Sequence, residues 1–278
     1  MTTAPTTLLF NLFKYSIYCT LALNVWLFFQ EEWQAVHVTY ADGIGIGQII
    51  TGFAATIDTA SWVLLLAMFE LETYTLSDKF LRKKSVEVTF WVLGAICYLF
   101  ILYSFYGYLS KALGFGPLVA VGSINPCDWA AQGWSIVEAL DQYPALNNDN
   151  CAELIRGETY FQLGDKPILG TADQWADLRI LVWLDVINSF TWLALVALLE
   201  ADVWFKLEET TSRRYARFSR VAKLVIYSIL FGCAAYWGIY GDFLDFWDAF
   251  VWLLAFFFIE LNMFQWNAKI DAPEPSTP

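Results

Sequence analysis

Six apolar stretches of membrane-crossing length occupy most of this chain, and no other feature limits its fold as strongly. They lie near Leu8–Phe29, Ile49–Glu70, Val86–Leu109, Ile180–Phe205, Leu224–Gly241 and Phe246–Trp266. A helix needs about 20 apolar residues to cross a ~30 Å hydrocarbon core. All reach that length except Leu224–Gly241, which is shorter. Only 16% of the 278 residues are charged and 58% are hydrophobic, whereas a soluble domain is about 25% charged. The expected fold class is an all-α integral membrane protein: six transmembrane helices arranged as three helical hairpins. Residues 1–270 form one such domain, with a cap loop at 111–178 inserted between helices three and four. The Pro-rich tail 271–278 is expected to be disordered and cytoplasmic. The first block has no basic segment ahead of it, so it reads as a retained span and not as a cleaved leader.

Basic residues set the expected orientation. Lys79, Arg82, Lys83 and Lys84 fall in Thr75–Ser85, and Lys206, Arg213, Arg214, Arg217, Arg220 and Lys223 fall in Lys206–Lys223. Together these are most of the 16 Lys and Arg. Cytoplasmic loops carry such an excess. Both termini are then cytoplasmic, in a plasma or bacterial inner membrane, and loop 111–178 is extracytoplasmic. Cys127 and Cys151 share that loop, where an oxidising compartment makes them the natural disulfide pair. Cys19, Cys97 and Cys233 lie in apolar blocks and read as packing residues.

The returning blocks share a pattern. Asp58, Trp62 and Glu70 in the second block correspond to Asn188, Trp192 and Glu200 in the fourth, and to Asp248, Trp252 and Glu260 in the sixth. Successive helix residues turn by roughly 100°, so each Asp or Asn shares a face with the Trp one turn on. Each Glu lies about 80° around from its Trp and borders the same face. The pattern suggests an internal repeat. It places Glu70, Glu200 and Glu260 in a carboxylate ring near the cytoplasmic mouth of a path, and Asp58, Asn188 and Asp248 in a polar ring higher up. Acidic rings select cations, and intramembrane ionisable groups tend to mark pathways. The competing structural reading has the Glu residues pairing with Lys83, Lys84, Arg213 or Arg214, and the Trp stripe acting as packing anchors. Asp185 and Asp248 lie nearer the outer boundary and are less informative than Asp58.

Other function classes fit poorly. A net charge of −12 opposes nucleic-acid binding. A single histidine, His37, excludes a bis-histidine haem and a His-rich metal centre, so neither cofactor nor metal is expected. Lys14 lies near the start of the first block and is expected to snorkel. Gly43–Gly47 lacks the strand and Lys of a phosphate loop, and reads as a turn or a short re-entrant segment leading into span two. The apolar run Leu113–Gly122 is expected to lie on or dip into the outer leaflet. No nucleophile grouping accompanies the acids, so an enzyme is not expected. Three hairpins invite comparison with mitochondrial carriers, but the Pro-x-Asp-x-x-Lys/Arg signature is missing from every odd-numbered helix. The leading expectation is a cation channel or carrier. The alternative is a non-catalytic subunit of a membrane complex, docking partners through Trp/Phe-rich helices and the outer loop. The expected surroundings are the bilayer and a homo- or hetero-oligomer within it.

Overall fold

The computed structural model describes residues 5–40, 43–72, 76–81, 83–122, 125, 127–130, 132–152, 159–207 and 213–270. Side chains at 5–9, 78, 122, 203–207 and 257–270 lie outside that description, as do the whole of the tail 271–278 and Arg82. The chain is mostly helical. Its long helices are α1 (Pro5–Thr39), α3 (Ala54–Glu70), α5 (Lys84–Leu113), α7 (Ala172–Leu207), α8 (Arg213–Tyr240) and α9 (Phe243–Ile270), with α2 (Ile49–Gly52), α4 (Asp78–Leu81) and α6 (Cys127–Ala130) as short turns between them. Among the described residues, four helices are long and apolar enough to cross a membrane, and five if α2 and α3 count as one bent span.

The amphipathic logic of α7 shows why these segments are helical and where they sit. Leu178, Leu181, Val182, Val186, Ser189, Trp192 and Leu195 are buried at helical spacing, while Ile180, Trp183, Ile187 and Phe190 on the opposite face are exposed. Both faces are apolar. One packs on neighbouring helices, and the other is left for an apolar surrounding. Trp91, Leu99, Phe231 and Ile239 continue this exposed apolar coat on α5 and α8.

The long helices pack in chain order: α1 on α3, α3 on α5, α5 on α7, α7 on α8, α8 on α9, and α9 back on α1. The result is a closed ring. Because α3 contacts α5 as well as α1, the packing does not single out three separate hairpins.

Several boundaries differ from the sequence reading. The first helix does not stop at Phe29 but runs to Thr39. The segment Gln30–Val38 has neither Gly nor Pro, and Phe28, Glu32, Ala35 and Val36 continue its buried stripe. Arg213–Lys223 is the first part of α8, not a loop. Lys223 Nζ and Ser219 Oγ both reach Asp202 Oδ2 at 2.7 Å and so tie α8 to α7. Cys97 and Cys233 are buried as expected, but Cys19 is exposed on the ring's outer side.

The all-α expectation fails in the cap. Leu118–Gly122 is a β-strand (β1), not a membrane-dipping segment, because its β-branched run suits a pleated, half-buried surface. With β2 (Ser135–Ile136), β3 (Tyr160–Leu163) and β4 (Ile168–Gly170) it forms a sheet of order β1-β3-β4-β2. The β1–β3 and β3–β4 pairs are antiparallel, and β2–β4 is parallel. The expected Cys127–Cys151 disulfide is formed. Buried Cys151 packs with Leu146, Tyr160 and Leu169 beside the sheet. Val137, Leu140, Ile168 and Trp175 of the cap share one core with Ala112, Leu181, Trp237 and Ala249 of the helices. The cap is therefore seated on one end of the ring.

Candidate functional site

The site begins with a broken helix. A 3-10 turn at Ile46–Gln48 leads into α2, the chain bends by 73°, and α3 starts at Ala54. Glycine permits the close packing around this bend. A Cβ on Gly52 would lie 2.7 Å from Val36 Cγ2, and one on Gly107 of α5 would lie 2.7 Å from the Ile50 carbonyl. The break leaves the first N–H groups of α3 without helical partners. Glu32 of α1 supplies them. Its carboxylate accepts from Ala55 N at 2.8 Å, Thr56 N at 3.0 Å and Thr56 Oγ1 at 2.6 Å. An anion is also favoured at the positive end of the helix dipole. Glu32→Ala is expected to cost about 3 kcal/mol, because charge-assisted bonds are lost and buried donors are left bare. Thermal unfolding in detergent, with hydrogen exchange read at Ala55 and Thr56, checks this. Unchanged exchange at those amides would refute the capping role.

Beneath this break, inside the ring, lies a cavity of about 80 Å³. Its wall carries Glu32 from α1, Asp58 from α3, Asp185 and Asn188 from α7, and Asp245 and Asp248 from α9. Asp58 Oδ1 accepts from Trp62 Nε1 at 3.1 Å, and Asp248 Oδ1 accepts from Asn24 Nδ2 at 2.7 Å. Glu31, Tyr108, Lys111, Asp141 and Trp237 also line it. Carboxylates in a low-dielectric wall, where ionised, focus negative potential on the space between them.

Side chains crowd both ends of the cavity. On the cap side, the turn Ala139–Gln142 inserts its tip. Asp141 there has φ 62°, a left-handed backbone that is uncommon outside glycine. It accepts from Lys111 Nζ at 2.5 Å. Gln142 Nε2 donates to Glu31 Oε1 at 2.8 Å and to Asp242 Oδ2 at 3.1 Å. Beyond the Lys111–Asp141 pair is a second cavity of about 200 Å³ lined by Tyr40, Thr51, Tyr143 and Lys166. Burial, and then the nearby Lys111 charge, lower the Lys166 ammonium pKa. On the opposite side, Trp62, Trp192 and Trp252 meet in a near-equilateral triangle, with ring centroids 6.4, 6.4 and 6.5 Å apart. Past it lie buried Leu21, Leu66, Leu195, Ala255 and Phe256.

The structure thus brings together Asp58, Asn188 and Asp248, and separately Trp62, Trp192 and Trp252. It does not bring Glu70 and Glu200 together. Glu70 is buried against α1, where Oε1 accepts from Lys14 Nζ at 2.6 Å and from Tyr15 Oη at 2.9 Å, and Oε2 accepts from Tyr18 Oη at 3.4 Å. Lys14 is 3% exposed and does not snorkel, because this carboxylate neutralises it inside the bundle. Glu200 is exposed on the outside of α7. Glu260 lies on α9, and its side chain is outside the described residues. Asp185, ranked low in the sequence, lines the cavity beside Asn188, one turn along the same face. Glu32 lies beyond Phe29, where the sequence reading ends the first block. Its signal was the absence of any helix breaker between Gln30 and Val38. Asp141 had no local signal.

Comparison with known proteins found no matching family model, no matching curated protein and no matching solved structure. The class these features define is a ring of long apolar helices enclosing an acid-lined cavity under a disulfide-bonded cap.

Proposed function

We propose that this chain is a multi-pass membrane carrier for small cations, and that the acid-lined cavity is where the cation is held. The single observation that carries this reading is the convergence of carboxylates from α1, α3, α7 and α9 on one internal cavity. Acids are rare within apolar helices and cluster where charge is handled. Six spans, the broken α2–α3 span and α9 among them, would enclose the ring in a plasma or bacterial inner membrane. The basic connectors at the end opposite the cap support cytoplasmic termini and an extracytoplasmic cap. Pairing of successive spans as hairpins would make Asp58, Asn188 and Asp248 equivalent positions around the axis.

Crowding at both ends supports a carrier more than an open channel. The Lys111–Asp141 turn would be the outer gate and the indole triangle the inner one. Lys111 reaches the cavity as a tethered cation, so cargo would compete with it. In proteoliposomes, purified protein is expected to move monovalent cations down an imposed gradient. Asp58→Asn combined with Asp248→Asn is expected to cut that flux by roughly tenfold or more. Flux equal to wild type in the double variant, with the protein eluting as the same species, would remove the cavity from the path.

A further inference from the structure

We infer that the cation held in this cavity is the proton, carried on water and on the Asp58 and Asp248 carboxylates. The inference rests on the transport reading above and names its cargo.

The acids alone do not identify the cargo; one unmet hydrogen-bonding group in the wall does. Trp237 lines the cavity and is 4% exposed, and its indole N–H has no partner among the described residues. Buried polar groups are normally satisfied, and an orphan calls for a specific occupant. An indole nitrogen is a donor only. A bare alkali or alkaline-earth ion has no lone pair to offer it, and the two positive ends repel. Water meets the need, accepting from Trp237 and leaving its own hydrogens for the carboxylates. The cavity's volume of about 80 Å³ is room for a few water molecules, since each needs roughly 10–15 Å³ of such space.

The arrangement of the acids points the same way. A divalent cation draws six or more oxygens onto one point. Here, among the described residues, no three acid, His or Cys side chains are placed to hold a metal. The carboxylates are distributed around the wall instead, which suits stepwise transfer. A hydronium in the cavity gives a proton to a carboxylate oxygen of Asp58 and leaves as neutral water. The Asp58 carboxylic acid then gives its proton to a second water, which passes it to Asp248. No redox partner is needed, and the driving force is the gradient across the membrane. The charged or titratable groups facing these two acids are Glu31 and Glu32 from α1, Tyr108 and Lys111 from α5, Asp141 from the cap, Asp185 from α7 and Asp245 from α9. α8 contributes only the uncharged Trp237 to the wall.

The test uses full-length protein in liposomes of phosphatidylethanolamine and phosphatidylglycerol with a trapped pH dye. A potassium diffusion potential set by valinomycin drives the flux, and sodium uptake is followed in parallel. The expected result is protein-dependent internal acidification without sodium uptake. It should fall roughly tenfold in Asp58→Asn and several-fold in Trp237→Phe, which keeps the ring but loses the donor. Infrared difference spectra of detergent-solubilised protein on acidification should show a carboxylic-acid band that Asp58→Asn removes. This reads proton binding without transport. Protein-dependent sodium movement with no pH change would overturn the proton inference and leave the cation reading standing. Movement of no ion would overturn the cation reading itself. An infrared band unchanged in Asp58→Asn would take Asp58 out of the relay and overturn the inference as stated.

Discussion

Replacing Lys14 by methionine is expected to destabilise the fold by about 3–5 kcal/mol, the cost of stranding a buried charge. Lys14 and Glu70 are buried at side-chain exposures of 4% and 9%, with Nζ and Oε1 2.6 Å apart. The Lys14 ammonium also lies 4.8 Å from the centroid of the Tyr15 ring. Without it, the Glu70 carboxylate keeps only hydroxyl donors. Glu70→Leu alone should cost a similar amount by stranding the ammonium. The double variant Lys14→Met with Glu70→Leu should regain most of the loss, because a buried pair is often replaceable by apolar residues of similar volume. Thermal unfolding in detergent measures all three. Single losses that simply add in the double variant would show that the pair does not act as a unit. This result also bears on transport. A flux change in Glu70→Gln would reflect the α1–α3 contact and not a carboxylate ring at an inner mouth.

The second large effect is expected at the indole triangle. Trp192 touches both other indoles and lies 4.7 Å, centroid to centroid, from Phe256. Trp192→Ala leaves a large void in a buried cluster and should cost about 3–5 kcal/mol. The proposed carrier should also lose its inner closure, because the acid-lined cavity sits directly against these rings. Ion leak in proteoliposomes should then rise with no imposed counter-ion requirement, while Trp192→Phe restores most of the barrier. Leak unchanged in Trp192→Ala, in protein that still elutes as one species, would assign the triangle a packing role only.

The polar stripe was legible in the sequence because it is a matter of helical phase. Asp58 and Trp62, Asn188 and Trp192, and Asp248 and Trp252 are each one turn apart, so any helix puts each pair on one face. The glutamates were not legible from the same pattern. They lie about 80° from the indoles, on the opposite side from the acids at about 40°. At that angle a side chain leaves the axis and points along the seam to a neighbouring helix. What occupies the seam decides its environment. For Glu70 it is Lys14, more than fifty residues away in the chain; Glu200 ends on the outside of α7. Two residues at equivalent places in the pattern therefore have opposite surroundings.

The cap carried a similar division. The Cys127–Cys151 pair followed from two cysteines in one polar loop. The strands did not, because short β-branched runs such as Leu118–Val121 resemble short apolar helices until a partner strand is present. Asp141 reaches the cavity only because the sheet holds its turn over the ring.

What the sequence determined alone was local: long apolar segments without breakers, their polar stripes, and two cysteines in one polar loop, joined as a disulfide in the structure. Such features depend on residues a few positions apart, within reach of backbone periodicity. Tertiary structure decided which acids share a cavity, which one is neutralised by lysine, and what crowds each end. Those outcomes depend on how the helices close into a ring, and on contacts between side chains far apart in the chain, for which periodicity carries no information.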